Sequence, residues 1–242
     1  MKISELFRQL SFGELSNLAI SESGSGEIVE AKWPQLIHYT NDALTVLYTR
    51  FLLREKEVII SQMAEIIQYH LLSKHSETVG TDDYLYIKDT PEEPFLDDVV
   101  RIFEVWGSNE RGLVQFPLND EGNSASLFTP SPLILQVPRP ADGIPLSILY
   151  QAYHPRLADI PAEGETAIDL DQIIDIPHYL NNALQKWVAS EVFSHMNGQE
   201  NLIKGQEYKA DYEAACLEVE QRDLASQSWR PTHTKLDQRG FV

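Results

Sequence analysis

The sequence predicts an α+β fold in which an antiparallel helix bundle is built from both chain ends, with a β-rich insertion and an extended C-terminal tail. Apolar residues recur at helical spacing near both ends of the chain. Strand-forming residues, separated by glycines and prolines, fill the middle. After residue 228 no periodicity remains. We therefore predict a helical bundle from 1–55 and 165–228, a β-rich insertion at 56–164, and an extended C-terminal arm at 229–242.

Four helices follow from the apolar spacing. The first is short and amphipathic, and the second begins near Pro34, a residue suited to a first helical turn. The third opens at Pro177 and ends at Asn197-Gly198, because glycine readily adopts the left-handed conformation that closes a helix. The predicted ranges are about 2–10, 34–54, 177–197 and from 200 onward.

The middle of the chain favours strands. Branched and aromatic residues cluster in short runs there, and five prolines between 130 and 145 favour short or edge strands and ordered turns. The segment 66–72 leaves helix and strand both open. Strands are predicted at 58–60, 84–87, 99–106, 113–118, 133–137 and 146–153.

The charge balance excludes several functional classes. Nineteen basic residues stand against 37 acidic ones, which gives a net charge of −18. Nucleic-acid binding rests on lysines and arginines that neutralise phosphates, so we expect this chain to repel DNA on average. No apolar run reaches the roughly 18–20 residues of a membrane span, and residues 1–5 do not resemble a signal peptide. The acidity indicates either a solvated surface or the lining of a channel through which DNA slides.

No catalytic or metal-binding motif is evident, and we predict no cofactor. Cys216 is the single cysteine, so neither an intrachain disulfide nor a multi-thiolate zinc site can form. The seven histidines lack metal-ligand spacing. Acidic clusters are candidates for paired carboxylates, although adjacent carboxylates on turns usually lie in solvent. These clusters are Asp82-Asp83, Glu92-Glu93, Asp97-Asp98, and Asp169 with Asp171 and Asp175.

The C-terminal arm is basic on an acidic protein. Its three basic residues oppose only Asp237. The arm is either a frayed terminus or a segment that becomes ordered against an acidic or groove-like partner. On the second hypothesis its candidate partner-binding residues are Trp229, Arg230, Lys235, Arg239 and Phe241.

Two parts of the chain are similar to a known family. Their segments are LSFGELSNL (10–18), LIHYTNDAL (36–44) with Arg50 and Phe51, IPHYL (176–180), ALQKWVAS (183–190) with Phe193, and YKADYEAA (208–215). This pattern resembles the tail-tubular-protein-A-like adaptors of short-tailed phages. In those proteins a proline precedes a helix rich in alanine and aromatic residues, and a helix rich in Tyr, Ala and Glu follows. The resemblance covers about 1–55 and 165–242, and the β region looks like the variable insertion of such adaptors.

The resemblance implies a structural virion protein, not an enzyme. Such adaptors form a ring, usually of twelve copies, beneath the portal, with a channel through which DNA passes without specific binding. The C-terminal extension docks on the portal, and the insertion faces the tail tube or nozzle. The implied partners are therefore the portal protein, the tube or nozzle protein and further copies of the chain, with no membrane. The implied location is the neck or tail of the virion, after synthesis in the host cytoplasm.

Three alternatives stay open. The chain could be another neck or tail component, such as a nozzle or tail-completion protein. It could be an enzyme, such as a hydrolase that uses Asp97, Asp98, Asp169 and Asp171. It could also be a small regulatory binding module.

Overall fold

The structure, a computed structural model, describes residues 1–16, 18, 28–109, 112–161 and 167–225. Within these residues the chain forms two compact units. A helical unit contains the described residues of Met1–Leu47 and of the chain from Arg156 onward, and a β unit contains those of Tyr48–Pro155.

The four predicted helices are confirmed as elements. Pro34 lies in the first turn of the second helix, and Gly198 precedes the fourth with φ of 111°, a conformation that glycine adopts without strain. A short 3-10 turn, His178–Leu180, leads into the third helix. The helices are α1 (Ile3–Phe12), α2 (Trp33–Arg50), α3 (Asn181–Ser194) and α4 (Gln199–Gln221).

The helical unit depends on a close approach of α3 and α4. A Cβ built at Gly205 of α4 would lie 2.5 Å from the Ser194 hydroxyl oxygen and 3.0 Å from the Ser194 amide nitrogen. The first separation is too short for carbon unless the Ser194 hydroxyl moves, and the second is tighter than most carbon contacts with backbone, so the absence of a side chain at Gly205 favours this close approach. The inner face of α4, with Gly205, Tyr212, Cys216 and Val219, is buried.

Residues 170–174 fasten the start of α1. The Ile3 amide donates to the Gln172 carbonyl at 3.1 Å, and the Ile174 amide donates to the Met1 carbonyl at 2.7 Å. The buried stripe of α1, with Ile3, Leu6, Phe7 and Leu10, is the one the sequence predicts.

The β unit contains eight strands in its described residues. They form an antiparallel five-stranded sheet in the order β3-β1-β8-β4-β5 and an antiparallel three-stranded sheet in the order β2-β7-β6. The strands are β1 (Glu55–Ser61), β2 (Gln68–His70), β3 (Ile87–Lys88), β4 (Val99–Asn109), β5 (Gly112–Phe116), β6 (Phe128–Ser131), β7 (Ile134–Gln136) and β8 (Pro145–Ala152). The strand β6, which contains a proline, is an edge strand that the sequence did not predict.

Residues of both sheets belong to one hydrophobic core, which includes three buried tyrosines, Tyr69, Tyr86 and Tyr150. The Tyr86 hydroxyl donates to the His70 carbonyl at 2.9 Å and accepts from the His70 amide at 2.8 Å. The Tyr69 hydroxyl makes the same pair of bonds with Met63, at 3.1 and 2.9 Å. Burial raises the pKa of both hydroxyls, so they remain protonated and can donate.

The predicted α+β class fits, but the predicted architecture of a dominant antiparallel helix bundle built from both chain ends is wrong. The extensive helix contact is between α3 and α4, and α1 meets α3 over a short stretch. The two antiparallel sheets enclose a core of their own. Periodicity identifies each helix and its buried face, but it does not identify the partner of that face, and this is why the prediction failed.

Gly205→Ala should destabilise the protein by about 1–3 kcal/mol, because the added methyl group overpacks the contact between α3 and α4. Helix propensity alone predicts the opposite sign, since alanine exceeds glycine by ~1 kcal/mol inside a helix. Urea unfolding followed by circular dichroism measures the difference. The matched control is Gln206→Ala, at the next, exposed position, which should stay within about 0.5 kcal/mol of the parent. A Gly205→Ala variant as stable as the parent would contradict the close approach.

Candidate functional site

Two lysines of α4 lie over aromatic rings of α3. The Lys209 ammonium lies over the Trp187 ring, and the Lys204 ammonium lies 4.7 Å from the centre of the Phe193 ring. Burial lowers the pKa of Lys209, although Glu191 and Glu213 partly offset this effect. A cation over an aromatic face contributes about 0.5–2 kcal/mol, depending on its exposure to water. These contacts fix the rotation of α4 about its axis.

A junction joins the first and last parts of the helical unit. The Lys186 ammonium of α3 contacts the Glu14 carboxylate at 3.0 Å and lies 5.2 Å from the centre of the Tyr208 ring. The Tyr208 hydroxyl donates to the Glu14 carbonyl at 3.2 Å. The Glu14 and Lys186 side chains are only 12% and 21% exposed. The junction therefore brings together three of the segments that carry the resemblance, namely 10–18, 183–190 and 208–215.

The outer face of α4 carries exposed apolar residues. Ile203 precedes Tyr212 by nine residues, or about two and a half turns, so it points away from α3. Leu217 lies on the same outer side. The two side chains are 49% and 48% exposed, and the residues between them on this face, Ala210 and Ala214, are also exposed. We call these four residues the outer stripe.

Acidic residues flank the outer stripe. The two lysines of α4 are Lys204 and Lys209, and both lie over rings on the α3 side. A helix with an apolar stripe and an acidic rim fits a partner that carries apolar and basic groups together. The six acidic residues of α4 are Glu200, Glu207, Asp211, Glu213, Glu218 and Glu220.

The β unit has a pocket of about 610 Å³ beside the outer edge of β1. Within the described residues β3 pairs with β1 only at Ile59 and Ile60. The pocket lies where this pairing stops, between Lys56–Ile59 and the loop 89–96, with Tyr150 as a lining residue from β8. Among the described residues that line it there is no histidine, cysteine or serine.

Asp89 organises the loop beside this pocket. Its carboxylate accepts bonds from the Ser76 and Thr78 hydroxyls, both at 2.6 Å, and from the Phe95 and Thr78 amides at 3.0 and 3.2 Å. Burial alone would raise the pKa of Asp89, but these bonds outweigh it and lower the pKa to about 2. The carboxylate therefore stays ionised and holds the loop.

Asp97 and Asp98, which follow this loop in the sequence, also have structural contacts. The Ser73 hydroxyl donates to Asp97 at 2.5 Å. Asp98, which is 9% exposed, contacts the Lys56 ammonium at 2.7 Å and accepts from the Tyr150 hydroxyl at 3.0 Å. Burial and the Asp98 carboxylate raise the pKa of Tyr150, so its hydroxyl stays protonated. The contacts of Asp98 fasten the end of the loop to β1 and β8, and the contact of Asp97 fastens it to the 3-10 turn Ser73–His75.

Asp169 and Asp171 lie in the helical unit, not with Asp97 and Asp98 in the β unit. The Asp169 carboxylate accepts from the Asp171 amide at 2.8 Å, and the Asp171 carboxylate contacts the Lys2 ammonium at 2.9 Å. In the part of the chain that the structure describes, no three His, Cys, Asp or Glu side chains are placed to hold a metal ion. No helix among those residues is long and apolar enough to cross a membrane.

The sequence-predicted docking residues are not positioned by the structure. Trp229, Arg230, Lys235, Arg239 and Phe241 lie outside the described residues.

The outer stripe and the organising role of Asp89 were not predicted from the sequence. The spacing of seven residues between Ile203, Ala210 and Leu217 was a usable signal, because it marks one face of a helix. Nothing in the sequence marks Asp89, because its partners Ser76, Thr78 and Phe95 come together only in the fold.

Neither comparison with known proteins identifies a relative: no family model matches the chain, and no curated protein matches it.

Asp89→Asn should destabilise the protein by about 1.5–3 kcal/mol at pH 7, because the charged acceptor of four hydrogen bonds is lost. The pKa of Asp89 is about 2 in the folded chain, below the ~3.9 of an unfolded aspartate. The unfolded chain therefore binds more protons between these values, so the stabilisation is full above about pH 4 and is lost as the pH falls towards 2. Urea midpoints of parent and variant should converge over that range. The matched control is Glu93→Gln in the same loop, where the side chain is exposed. A difference between Asp89→Asn and parent that stays constant from pH 7 to 2 would contradict this role.

Proposed function

We propose that this chain is a structural virion protein, a head-to-tail adaptor subunit that forms a ring under the portal of a short-tailed phage. The observation that carries the proposal is the junction of Glu14, Lys186 and Tyr208. Segments from opposite ends of the sequence resemble such adaptors, and the junction brings three of them into direct contact. If the resembling segments were scattered over the surface, no direct contact between them would be expected.

The outer stripe supports a role in assembly. A ring of identical subunits needs a heterologous contact, in which one patch of each subunit meets a different patch of the next. Each contact can be weak, because closure of the ring and a preformed portal supply avidity. An exposed apolar stripe of two large side chains and two alanines is consistent with a contact of this strength.

The β unit supports a separate contact with the tail. It has its own hydrophobic core and its own fastened loop, so it can keep its surface independently of the ring. We assign this surface to the tube or nozzle protein. The net charge of −18 suits a subunit past which DNA must move without sticking.

Mixing the purified protein with the portal ring encoded beside it tests the proposal. Negative-stain electron microscopy should show a new symmetric layer of density under the portal, from which the copy number can be counted. An unchanged portal would overturn the proposal.

The C-terminal arm should be required for portal binding. Deletion of 229–242 should leave a folded monomer, because it removes none of the buried core residues found in the described part of the chain. That monomer should no longer sediment with the portal. Replacing Arg230, Lys235 and Arg239 with alanine should weaken binding at least tenfold, because charged anchors are lost. The matched control replaces Lys32, Arg139 and Arg156, which are exposed in the described residues, and should bind as the parent does. If the chain that lacks 229–242 binds the portal as the parent does, the arm is not required for docking.

A further inference from the structure

The outer side of β1 carries main-chain hydrogen-bonding groups at Glu57 that are open to an added strand. On this side the Ser61 amide donates to the Tyr86 carbonyl at 2.8 Å, and β3 pairs with β1 at Ile59 and Ile60. The peptide groups of a strand point alternately to its two neighbours, so the Glu57 amide and carbonyl point to the same side as the Ser61 amide. Among the described residues, no strand pairs with β1 opposite Glu57 on this side.

The chain leaves the edge of β1 after β3 because Asp89 is held elsewhere. Two hydroxyls donate to the Asp89 carboxylate, both at 2.6 Å. Beyond Asp89 the loop closes on itself, since the Glu93 amide donates to the Thr90 carbonyl at 3.1 Å. The loop therefore stands apart from β1, and the pocket of about 610 Å³ lies between them. This volume falls within the roughly 300–1,000 Å³ that is usual for ligand sites.

The pocket offers different chemistry on the two faces of the sheet. Burial alternates along β1, so that Val58 is buried and Glu57 is exposed. Val58, Phe95 and Tyr150 line the pocket and belong to the hydrophobic core of the β unit. The side chains of an added strand also alternate between the faces. A side chain opposite Val58 would therefore meet an apolar surface, and the next one would lie beside Glu57.

The charge around the pocket favours a basic occupant. Lys56 and Lys88 line it, but their ammonium groups contact the carboxylates of Asp98 and Glu77. Three exposed glutamates of the lining have no ion-pair partner among the described residues. These glutamates are Glu57, Glu92 and Glu93. Because opposite charges on neighbouring strands stabilise a sheet, a lysine or arginine opposite Glu57 suits this edge.

A second copy of β1 does not suit it. If two copies paired in antiparallel fashion about Glu57, the two Glu57 carboxylates would lie opposite each other. If they paired about Lys56, the two Lys56 ammonium groups would do so. Like charges directly opposite each other destabilise a strand pair. The occupant is therefore a segment of a different protein.

We propose that β1 binds an extended basic segment of a partner protein, which joins the sheet as an antiparallel strand opposite Glu57. One lysine or arginine of the segment exchanges both main-chain hydrogen bonds with Glu57 and pairs with its carboxylate. The preceding residue of the segment is apolar and packs on Val58, Phe95 and Tyr150. Main-chain bonds of this kind supply affinity, and the side-chain pockets supply specificity.

The site itself does not depend on the adaptor function, since all its residues lie in the β unit. Only the source of the segment rests on the proposed function: in an adaptor, the segment would belong to the tube or nozzle protein.

NMR titration of the ¹⁵N-labelled full-length chain with a synthetic peptide tests the inference. The peptide is acetyl-SVKTKS-amide, which can place its valine opposite Val58 and its first lysine opposite Glu57. The amide signals of Glu57, Val58 and Ile59 should shift together, with a dissociation constant of about 1 mM or tighter. The Glu57 amide should also exchange more slowly with solvent, because it donates to the peptide.

Changes on both sides of the contact make the test specific. A methyl group on the main-chain nitrogen of the first lysine removes the bond to the Glu57 carbonyl and should weaken binding about tenfold. Glu57→Pro removes the other bond and should weaken binding about tenfold as well, and an outward-pointing edge position tolerates proline. Glu57→Gln keeps both main-chain groups and should weaken binding only about threefold. The matched control Glu121→Gln, at an exposed position outside the pocket, should bind as the parent does.

The outcomes are distinct. Binding that requires the peptide N–H supports the inference, and this comparison uses the parent chain, so it holds even if Glu57→Pro does not fold. Equal binding of the methylated and unmethylated peptides would show a contact through side chains alone and would overturn the inference. Absence of shifts at these amides with ~5 mM peptide would overturn it too. Shifts caused by inorganic phosphate but not by the peptide would assign the pocket to an anion, and would also overturn it. Because no portal or tail protein is present, none of these results depends on whether the chain is an adaptor.

Discussion

The helical unit depends on the close approach of α3 and α4 at Gly205. The approach is possible because the backbone of α4 reaches Ser194 without an intervening side chain. It places Lys209 over Trp187 and Lys204 over Phe193, and these contacts fix which face of α4 turns inward. The outward direction of Ile203 and Leu217 is then a geometric consequence of the helical repeat. Gly205 thus contributes, with the other buried residues of α4, to both the buried interface and the direction of the surface that remains for a partner.

The junction of Glu14, Lys186 and Tyr208 positions the chain segments that carry these residues, and it contributes little to the free energy of unfolding. Partly buried ion pairs lose hydration, and this loss offsets most of their attraction. Their geometry, however, is demanding: Lys186 must meet a carboxylate at 3.0 Å and an aromatic ring at 5.2 Å together. Misplacing the segment that carries Glu14 would leave a largely buried ammonium without its carboxylate at 3.0 Å, which is costly. The junction therefore selects one arrangement of the chain ends.

Local features were predictable, and long-range ones were not. The apolar spacing in α1, α3 and α4 gave the correct helices, and the β-branched runs gave β1, β4 and β8, because these signals lie within one element. The strand β6 was missed because Pro130 disfavours a strand and only an edge position tolerates it. The dominant helix bundle was wrong because an amphipathic face does not specify its partner. The contacts of Asp89 bring together residues that are distant in sequence, so no pattern signalled them.

The carboxylates of the β unit and those of α4 have different surroundings. In the β unit Asp89, Asp97 and Asp98 are held by hydroxyls, amides and Lys56, and those contacts use their charge inside the fold. On α4 the acidic side chains instead flank an exposed apolar stripe. The pair formed by Glu218 with Arg222 is on the surface and contributes little to stability. Asp211 lies 4.0 Å from the Lys186 ammonium, so part of the charge on α4 is also used inside the fold. The excess of acidic over basic residues on α4 would repel a second acidic helix and attract a basic segment.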